Sequence, residues 1–218
     1  MIEIKNITKK YGNNIALNNI SFNVNDGEIF AFIGHNGAGK TTLIKSIVGI
    51  HEFDEGDILI NGKSIKEKPV ECKKEMAFVP DNPELYEQMK AINFINFICD
   101  MYEVPQNIRE NNIKKYARLF EIENNLNDTI ESFSHGMKQK IALISALAHE
   151  PKILIMDEPF IGMALTGITI ILLVMAVNAK LNNNIIILIF TSLFAIIYAM
   201  LSWVLHKICD KSFNNISV

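Results

Sequence analysis

The sequence predicts an α/β domain over residues 1–160, followed by a long apolar segment. In the first part, apolar strand patterns alternate with helical patterns and polar turns. The charges are distributed unevenly: residues 1–160 hold all but three of the 21 basic and all but one of the 24 acidic side chains. Between Met163 and Leu205 the one charged residue is Lys180. We therefore place a boundary near Phe160–Met163.

The first strands precede a glycine-rich loop. Apolar and polar residues alternate in 2–7 and in 20–24, which predicts half-buried antiparallel strands. Residues 28–34 read EIFAFIG, an apolar run after Glu28 that ends at a glycine, which predicts a buried central strand. The loop GHNGAGKTT follows at 34–42, and a helical pattern begins directly after it.

This loop, Gly34–Thr42, has the composition of a phosphate-binding loop and matches G-x-x-x-x-G-K-[ST]. Glycines remove side chains so that successive backbone N–H groups can turn onto phosphate oxygens. Lys40 would neutralise the β- and γ-phosphates, and the Thr41 hydroxyl would coordinate Mg²⁺. The candidate nucleotide-binding residues are Gly34, Asn36, Gly37, Gly39, Lys40, Thr41 and Thr42.

A second motif places two carboxylates at the end of an apolar strand. Residues Ile153–Met156 predict a buried strand, and Asp157 and Glu158 follow it. Asp157 can hold Mg²⁺, and Glu158 can polarise an attacking water molecule. Glu158 is therefore the candidate catalytic residue.

A third motif, FSHGMKQK at 133–140, opens a predicted helix over 137–150. With these three motifs, residues 1–160 resemble the ATP-binding subunit of ABC transporters, in the branch that pairs with multidrug- or bacitracin-type exporter permeases. The resemblance implies an ABC-type P-loop NTPase fold, ATP and Mg²⁺ as cofactors, and an ABC permease subunit as partner. It also implies a nucleotide-sandwich dimer, formed with itself or with an intact ATP-binding subunit.

The resemblance assigns further site residues. Tyr11 matches the aromatic residue that stacks on adenine, although an ordinary tyrosine at a strand end is the alternative. The family's signature loop, usually S-G-G-Q, closes over the γ-phosphate that the partner subunit holds, and here His135 replaces its second residue. The signature-loop residues of this chain are Ser134, His135, Gly136 and Gln139.

Two more expectations follow from the resemblance. Asp81 stands where the family has a glutamine, and its carboxylate is a candidate Mg²⁺ ligand beside Thr41 and Asp157. Residues 85–131 show apolar faces at helical spacing and would form the helical subdomain that touches the permease. We expect its aromatic residues to be core packing, with a partner-facing groove as the alternative; they are Phe94, Phe97, Tyr102 and Phe120.

The chain departs from the family after Phe160. The family continues with Gly-Leu-Asp-Pro, whereas this chain has Gly162, Met163 and Ala164, without the aspartate. If residues 185–192 are the later core strand, Leu193 stands where the family has its γ-phosphate histidine. The resemblance thus leaves ATPase activity uncertain: we expect ATP binding to be retained and hydrolysis to be weak or absent.

The apolar segment predicts two transmembrane helices within 161–206. Residues 161–179 and 185–205 would form helices of roughly 28 and 31 Å, against a hydrocarbon core of about 30 Å. A polar KLNNN connection separates them, and two lysines lie in the tail 207–218. We therefore expect a cytosolic head anchored in the cell membrane, with both termini cytosolic. A degenerate soluble remainder is the alternative.

The overall charge excludes one class of function. A formal net charge of −3 does not suit a protein that coats nucleic acid, and no basic block reverses this. The sequence favours an ATP-binding subunit of an ABC transporter that exports a small amphipathic compound. Two alternatives stay open: a membrane-tethered ATP-binding protein with little or no turnover, and an artefact that joins two genes.

Overall fold

The structure is a computed structural model that describes residues 1–157 and the strand 186–192. These residues form eight strands and five α-helices. The strands are β1 (Ile2–Tyr11), β2 (Asn14–Val24), β3 (Ile29–Gly34), β4 (Glu55–Ile60), β5 (Lys63–Ser64), β6 (Met76–Val79), β7 (Ile153–Asp157) and β8 (Ile186–Ser192). The helices are α1 (Lys40–Ile47), α2 (Pro69–Lys74), α3 (Ala91–Met101), α4 (Gln106–Leu119) and α5 (His135–Ala148).

The first sheet is antiparallel, with the order β2-β1-β4-β5. Its alternating pattern buries Ile2 and Ile4 on one face, as the sequence predicts for residues 2–7. The pairing of β1 with β2 runs from Ile2 opposite Val24 to Tyr11 opposite Asn14, with three irregularities in the register. The antiparallel strands predicted from residues 2–7 and 20–24 are confirmed, and their hairpin end carries Tyr11.

The second sheet is parallel, with the order β3-β8-β7-β6 in the described residues. Strand β7 is buried on both faces, which explains its continuous apolar sequence. Ile153 and Ile155 join the core cluster that contains α1 and the antiparallel sheet. Leu154 and Met156 join the cluster of α3, α4 and α5. This strand therefore connects the two cores and brings Asp157 to the edge where β3 also ends.

Strand β3 is less buried than the sequence predicts. Ile29 and Ile33 are 38% and 52% exposed. On the other face, Phe30 stacks on Phe22 of β2 with ring centroids 5.0 Å apart, and Phe32 lies 6.4 Å from the same ring. The prediction of a buried central strand is wrong in the described residues, because β3 is the end strand of its sheet and packs there on one face only.

The helical subdomain predicted over residues 85–131 is confirmed, with α3 and α4 packed against each other and against α5. Phe94 and Phe120 are buried in its core. Phe97, however, is 39% exposed and contacts the exposed ring of Tyr86 at a centroid distance of 5.7 Å. The expectation that the aromatic set is core packing therefore holds for only part of the set, because the period of α3 turns Phe97 away from α5.

The second predicted transmembrane helix is wrong over residues 186–192. These residues form β8, which pairs in parallel with β3 on one side and β7 on the other. An apolar run can satisfy its backbone in a sheet as well as in a helix, and here both neighbours supply partners. Among residues 1–157 and 186–192, none of the helices has the length and apolar character that crossing a bilayer requires. The predicted span 161–179, the remainder of 185–205 and the tail 207–218 lie outside the described residues.

Candidate nucleotide-binding site

The phosphate loop joins β3 to α1, as its sequence predicts. Gly34 ends the strand and Lys40 begins the helix. The Lys40 ammonium group donates to the carbonyl oxygens of Gly34 and His35, at 2.7 and 3.0 Å. Lys40 is only 6% exposed, so these two bonds hold a nearly buried positive charge inside the curve of the loop.

Glycine is required most strictly at the end of this loop. Gly39 caps α1 with a φ of +86°, and a Cβ there would lie 2.5 Å from the carbonyl oxygen of Ala16 in β2. Gly37 also has a positive φ, +84°, but a Cβ there would meet nothing within 4 Å. Gly39 therefore serves both the backbone turn and the close packing of the phosphate loop on the antiparallel sheet.

The loop faces a cleft of about 630 Å³, which we call the nucleotide cleft. Elements from both sheets contribute to it. Its described lining residues are Tyr11, Asn14, Ile15, Ala16, Asn36, Gly37, Gly39, Lys40, Thr41, Thr42, Asp81 and Asp157. Every predicted nucleotide-binding or metal-binding residue in the described part lines this cleft, except Gly34 and the signature loop. The Gly34 carbonyl oxygen instead accepts a hydrogen bond from Lys40.

Two carboxylates lie at the far wall of the cleft. Asp157 ends β7, and Asp81 follows its neighbour β6, so the carboxyl ends of two adjacent parallel strands place them together. Burial raises the pKa of the Asp81 carboxyl, and the positive charge of His135 partly opposes that shift. Glu158, the candidate catalytic residue, lies outside the described residues.

These oxygen atoms suit a magnesium ion. The Thr41 hydroxyl and the carboxylates of Asp81 and Asp157 are hard ligands that line one cleft. In the described residues, no group of three or more histidine, cysteine, aspartate or glutamate side chains is placed to hold a metal ion. Proteins commonly bind Mg²⁺ through one or two carboxylates together with substrate phosphates.

The signature-loop residues lie at the start of α5 and not among the described residues that line the cleft. Ser134 is the N-cap of α5, and its hydroxyl oxygen accepts a hydrogen bond of 3.3 Å from the Met137 N–H. His135 is exposed, and Gly136 is partly exposed in the first turn. The helix starts two residues earlier than the predicted residue 137, because Ser134 can cap it.

Gln139 differs from its neighbours in the signature loop because it is buried. Its side-chain amide donates to the carbonyl oxygen of Asp81 at 3.2 Å. This contact ties the first turns of α5 to the segment after β6, next to the nucleotide cleft. Gln139 is therefore placed to act within its own subunit, whereas Ser134 and His135 are exposed.

Several cleft residues carry no motif. Asn14, Ile15 and Ala16 lie beside Tyr11 at the start of β2, and neither composition nor spacing distinguishes them from ordinary strand residues. His51 contacts Tyr11 from the segment after α1, with its ring Nδ1 3.0 Å from the tyrosine hydroxyl. A contact between residues 40 positions apart leaves no periodic signal in the sequence.

Comparisons with known proteins agree with this geometry. The model of the ABC transporter family matches residues 17–161. The methionine import ATP-binding protein MetN of Clostridium acetobutylicum is 32% identical over 86% of this chain and 60% of its own length. The SkfA peptide export ATP-binding protein SkfE of Bacillus subtilis is 31% identical over 75% of this chain and 67% of its own length.

Solved structures share the fold. An ATP-binding subunit of an ABC transporter superposes with a TM-score of 0.81 at 32% identity and covers 89% of this chain and 80% of its own. A dimeric ATP-binding cassette, MJ0796, bound to ADP and Pi, has a TM-score of 0.76 at 25% identity, with 88% of each chain covered. The chain spans between about half and two thirds of the length of the first curated relatives it matches. Fold, cleft and family match agree, and the chain belongs to the ABC transporter family, whose ATP-binding domains bind ATP with Mg²⁺.

Proposed function

We propose that this chain is an ATP-binding subunit of an ABC transporter and binds Mg-ATP in the nucleotide cleft. The observation that carries the proposal is the gathering of Tyr11, Lys40, Thr41, Asp81 and Asp157 around one cleft, from four separate parts of the chain. An aromatic ring, a buried cation and acidic oxygens in that arrangement match the base, the phosphates and the metal of Mg-ATP.

The phosphate loop is suited to an exchange of hydrogen-bond partners. Lys40 donates to two neutral carbonyl oxygens of its own loop. Phosphate oxygens are stronger acceptors for an ammonium group, because the bond then joins two full charges. The N-terminus of α1, which begins at Lys40, adds backbone N–H groups that favour an anion.

The metal would lie between the phosphates and the acidic wall. Thr41 and Asp157 would hold Mg²⁺ against the phosphate oxygens, with Asp81 as a further ligand. The ion supplies charge neutralisation at the β- and γ-phosphates. The raised pKa of Asp81 leaves it a weaker ligand at low pH than an ordinary aspartate would be.

A second subunit would complete the site. Ser134 and His135 are exposed and are not among the described residues that line the cleft of their own chain, which leaves them available to a partner's site. The start of α5 offers backbone N–H groups to the γ-phosphate of a facing subunit. The MJ0796 cassette, a dimer bound to ADP and Pi, supports this arrangement.

The permease would dock on an apolar groove beside the acidic wall. This docking groove has a volume of about 290 Å³, and residues 77–85 and helix α3 form much of its lining. Tyr86 and Met101 are 60% and 65% exposed at or near its rim. The groove adjoins the segment that carries Asp81, so a movement of this segment at the metal site would also change the surface that the partner contacts. Met101→Glu should weaken co-purification with the permease and leave Mg-ATP affinity unchanged.

We further propose that transport is directed outward and that the cargo is a small amphipathic compound. The likeness to SkfE, named for peptide export, supports this direction. Import is the second candidate, since MetN, named for methionine import, matches over more of this chain. Cells that express the chain with its permease should gain resistance to an amphipathic toxin under the first proposal. Under the second, they should accumulate a polar nutrient.

The chain would act at the cytosolic face of the cell membrane. Expression of all 218 residues, membrane fractionation and a Mg-ATP binding assay on each fraction test the proposal directly. We expect saturable Mg-ATP binding, and recovery in the membrane fraction. A soluble, well-folded chain that does not bind Mg-ATP would contradict the proposed function.

A further inference from the structure

The Tyr11 side chain would bind a base more tightly if neighbouring residues already held its ring in place. The residue ends β1 and is 46% exposed at the rim of the nucleotide cleft. An exposed tyrosine samples several rotamers, and fixing one on ligand binding costs conformational entropy. A ring that is already fixed in the free protein avoids part of that cost and binds a flat partner more tightly.

His51 contacts the Tyr11 ring at its hydroxyl end. The Tyr11 hydroxyl and His51 Nδ1 are 3.0 Å apart, within hydrogen-bonding distance. The two rings also pack edge to face, with centroids 6.4 Å apart and an interplanar angle of 75°. The Lys9 ammonium group lies over the Tyr11 ring, 5.2 Å from its centroid. Lys9 therefore occupies one face of the Tyr11 ring, and a base would stack on the other face.

His51 is itself fixed by the helix that carries the phosphate lysine. Its backbone N–H donates to the Lys45 carbonyl oxygen at 2.9 Å, and the Ile50 N–H donates to the same oxygen at 2.8 Å. Gly49, with a φ of +67°, allows the chain to turn there after α1. A few residues later the Asp54 carboxylate accepts from the Lys10 N–H at 2.6 Å, which joins this segment to β1.

We propose that His51 is a positioning residue for the nucleotide base. Through its contact with the Tyr11 hydroxyl it holds the ring in the orientation that stacks on a purine. Helix α1 thereby serves both ends of the ligand: its first residue binds the phosphates, and the segment after its last turn orients the ring that binds the base. The inference rests on the proposed function, since it concerns the same bound nucleotide.

The test compares two ligands that share the phosphates and differ in the base. Dissociation constants for Mg-ATP and for Mg-tripolyphosphate are measured with the full chain and with His51→Ala, Tyr11→Phe and the double variant. Tyr11→Phe keeps the ring and removes only the hydroxyl. We expect each single variant to weaken Mg-ATP binding about three- to tenfold, as loss of one hydrogen bond allows. The double variant should be no weaker than either single one, and tripolyphosphate affinity should not change.

Two further variants separate positioning from general damage. His51→Asn places an amide atom near the position of Nδ1 and should restore most of the Mg-ATP affinity. Tyr116→Phe removes a hydroxyl from a tyrosine of α4, outside the nucleotide cleft, and should leave the Mg-ATP affinity unchanged.

Three results would overturn the inference: unchanged Mg-ATP affinity in His51→Ala, equal losses for both ligands, or additive effects in the double variant. Failure of the unmodified chain to bind either ligand would instead overturn the proposed function, and the inference with it.

Discussion

The two walls of the nucleotide cleft are built in different ways. The antiparallel sheet supplies Tyr11 and its neighbours in β2, on strands whose pairing shifts register three times. The parallel sheet and α1 supply the charged groups, each at a strand end or a helix start. Hydrogen bonds along the parallel strands fix the strand ends near the charged groups, whereas the exposed Tyr11 side chain is contacted by the side chains of His51 and Lys9. Under the proposed function, the phosphates and the metal would meet charged groups at the ends of hydrogen-bonded elements, and the base would meet an aromatic ring that neighbouring side chains hold.

The largest expected effect concerns turnover on the charged wall. We predict that the chain binds Mg-ATP but hydrolyses it weakly or not at all, because the family's aspartate and histidine positions carry other residues. Preorganised contacts of this kind are each worth about 10²–10³ in rate, by analogy with oxyanion donors. Steady-state phosphate release by the purified chain, compared with Glu158→Gln, measures this. A robust rate that disappears in Glu158→Gln would contradict the prediction.

The next effect tests the point where the two walls touch. Gly39→Ala forces a side chain into a left-handed backbone and against the Ala16 carbonyl oxygen. We expect a loss of about 3 kcal/mol in the free energy of unfolding, the sum of backbone strain and overpacking. Urea titration of the full chain measures it.

Gly37→Ala is the matched control for Gly39→Ala. Its φ is also positive, but a Cβ there meets nothing within 4 Å. We expect a loss of about 1 kcal/mol from the backbone alone. Equal losses in the two variants would show that the contact between the phosphate loop and β2 contributes nothing to stability.

Removal of the buried cation should weaken binding without unfolding the chain. Lys40→Ala deletes the charge that the loop carbonyls hold, and we expect at least about a tenfold loss in Mg-ATP affinity, roughly 1.4 kcal/mol. Mg-tripolyphosphate should lose affinity to the same degree, because the effect lies on the phosphate wall. Lys114→Ala, which removes a lysine outside the cleft, is the control. An unchanged dissociation constant in Lys40→Ala would contradict the phosphate-loop assignment.

The smallest effect concerns a residue away from the described cleft. Ser134→Ala removes the N-cap of α5 and should cost about 1 kcal/mol of stability. Mg-ATP affinity of the isolated chain should not change, because Ser134 does not belong to the described cleft lining. Urea titration and equilibrium binding separate the two effects. A weaker Mg-ATP affinity in the monomer would contradict a role in the partner's site.

The sequence predicts the charged wall better than the aromatic wall. The phosphate loop needs glycine, lysine and threonine in a fixed order, so the residue types themselves reveal the chemistry. Asp157 is found in the same way, because an apolar strand that ends in an acid is unusual. His51 gives no such signal, since its contact with Tyr11 depends on how α1 and β1 pack. The arrangement of a hairpin end cannot be derived from composition.

The error over residues 186–192 has a related cause. An inner strand of a parallel sheet and a helix in a membrane can both have a continuous apolar sequence, and the length of the run 185–205 favours the helix. Hydrogen-bonding partners decide the matter, and β3 and β7 lie far away in the sequence. The exposure of β3 cannot be predicted from its sequence, because an apolar run alone does not show whether both faces of a strand are covered.

Strand β8 also sets a width. It separates β3 from β7, and neighbouring strands lie about 4.8 Å apart, so the two outer strands are held roughly 10 Å from each other. Gly34 ends one of them and Asp157 ends the other. A metal ion and the terminal phosphates would have to fit between these two strand ends. A version of the protein cut after residue 160 would keep every motif but lack β8. Strands β3 and β7 could then pair directly, about 4.8 Å apart, and the distance between Gly34 and Asp157 would shrink accordingly.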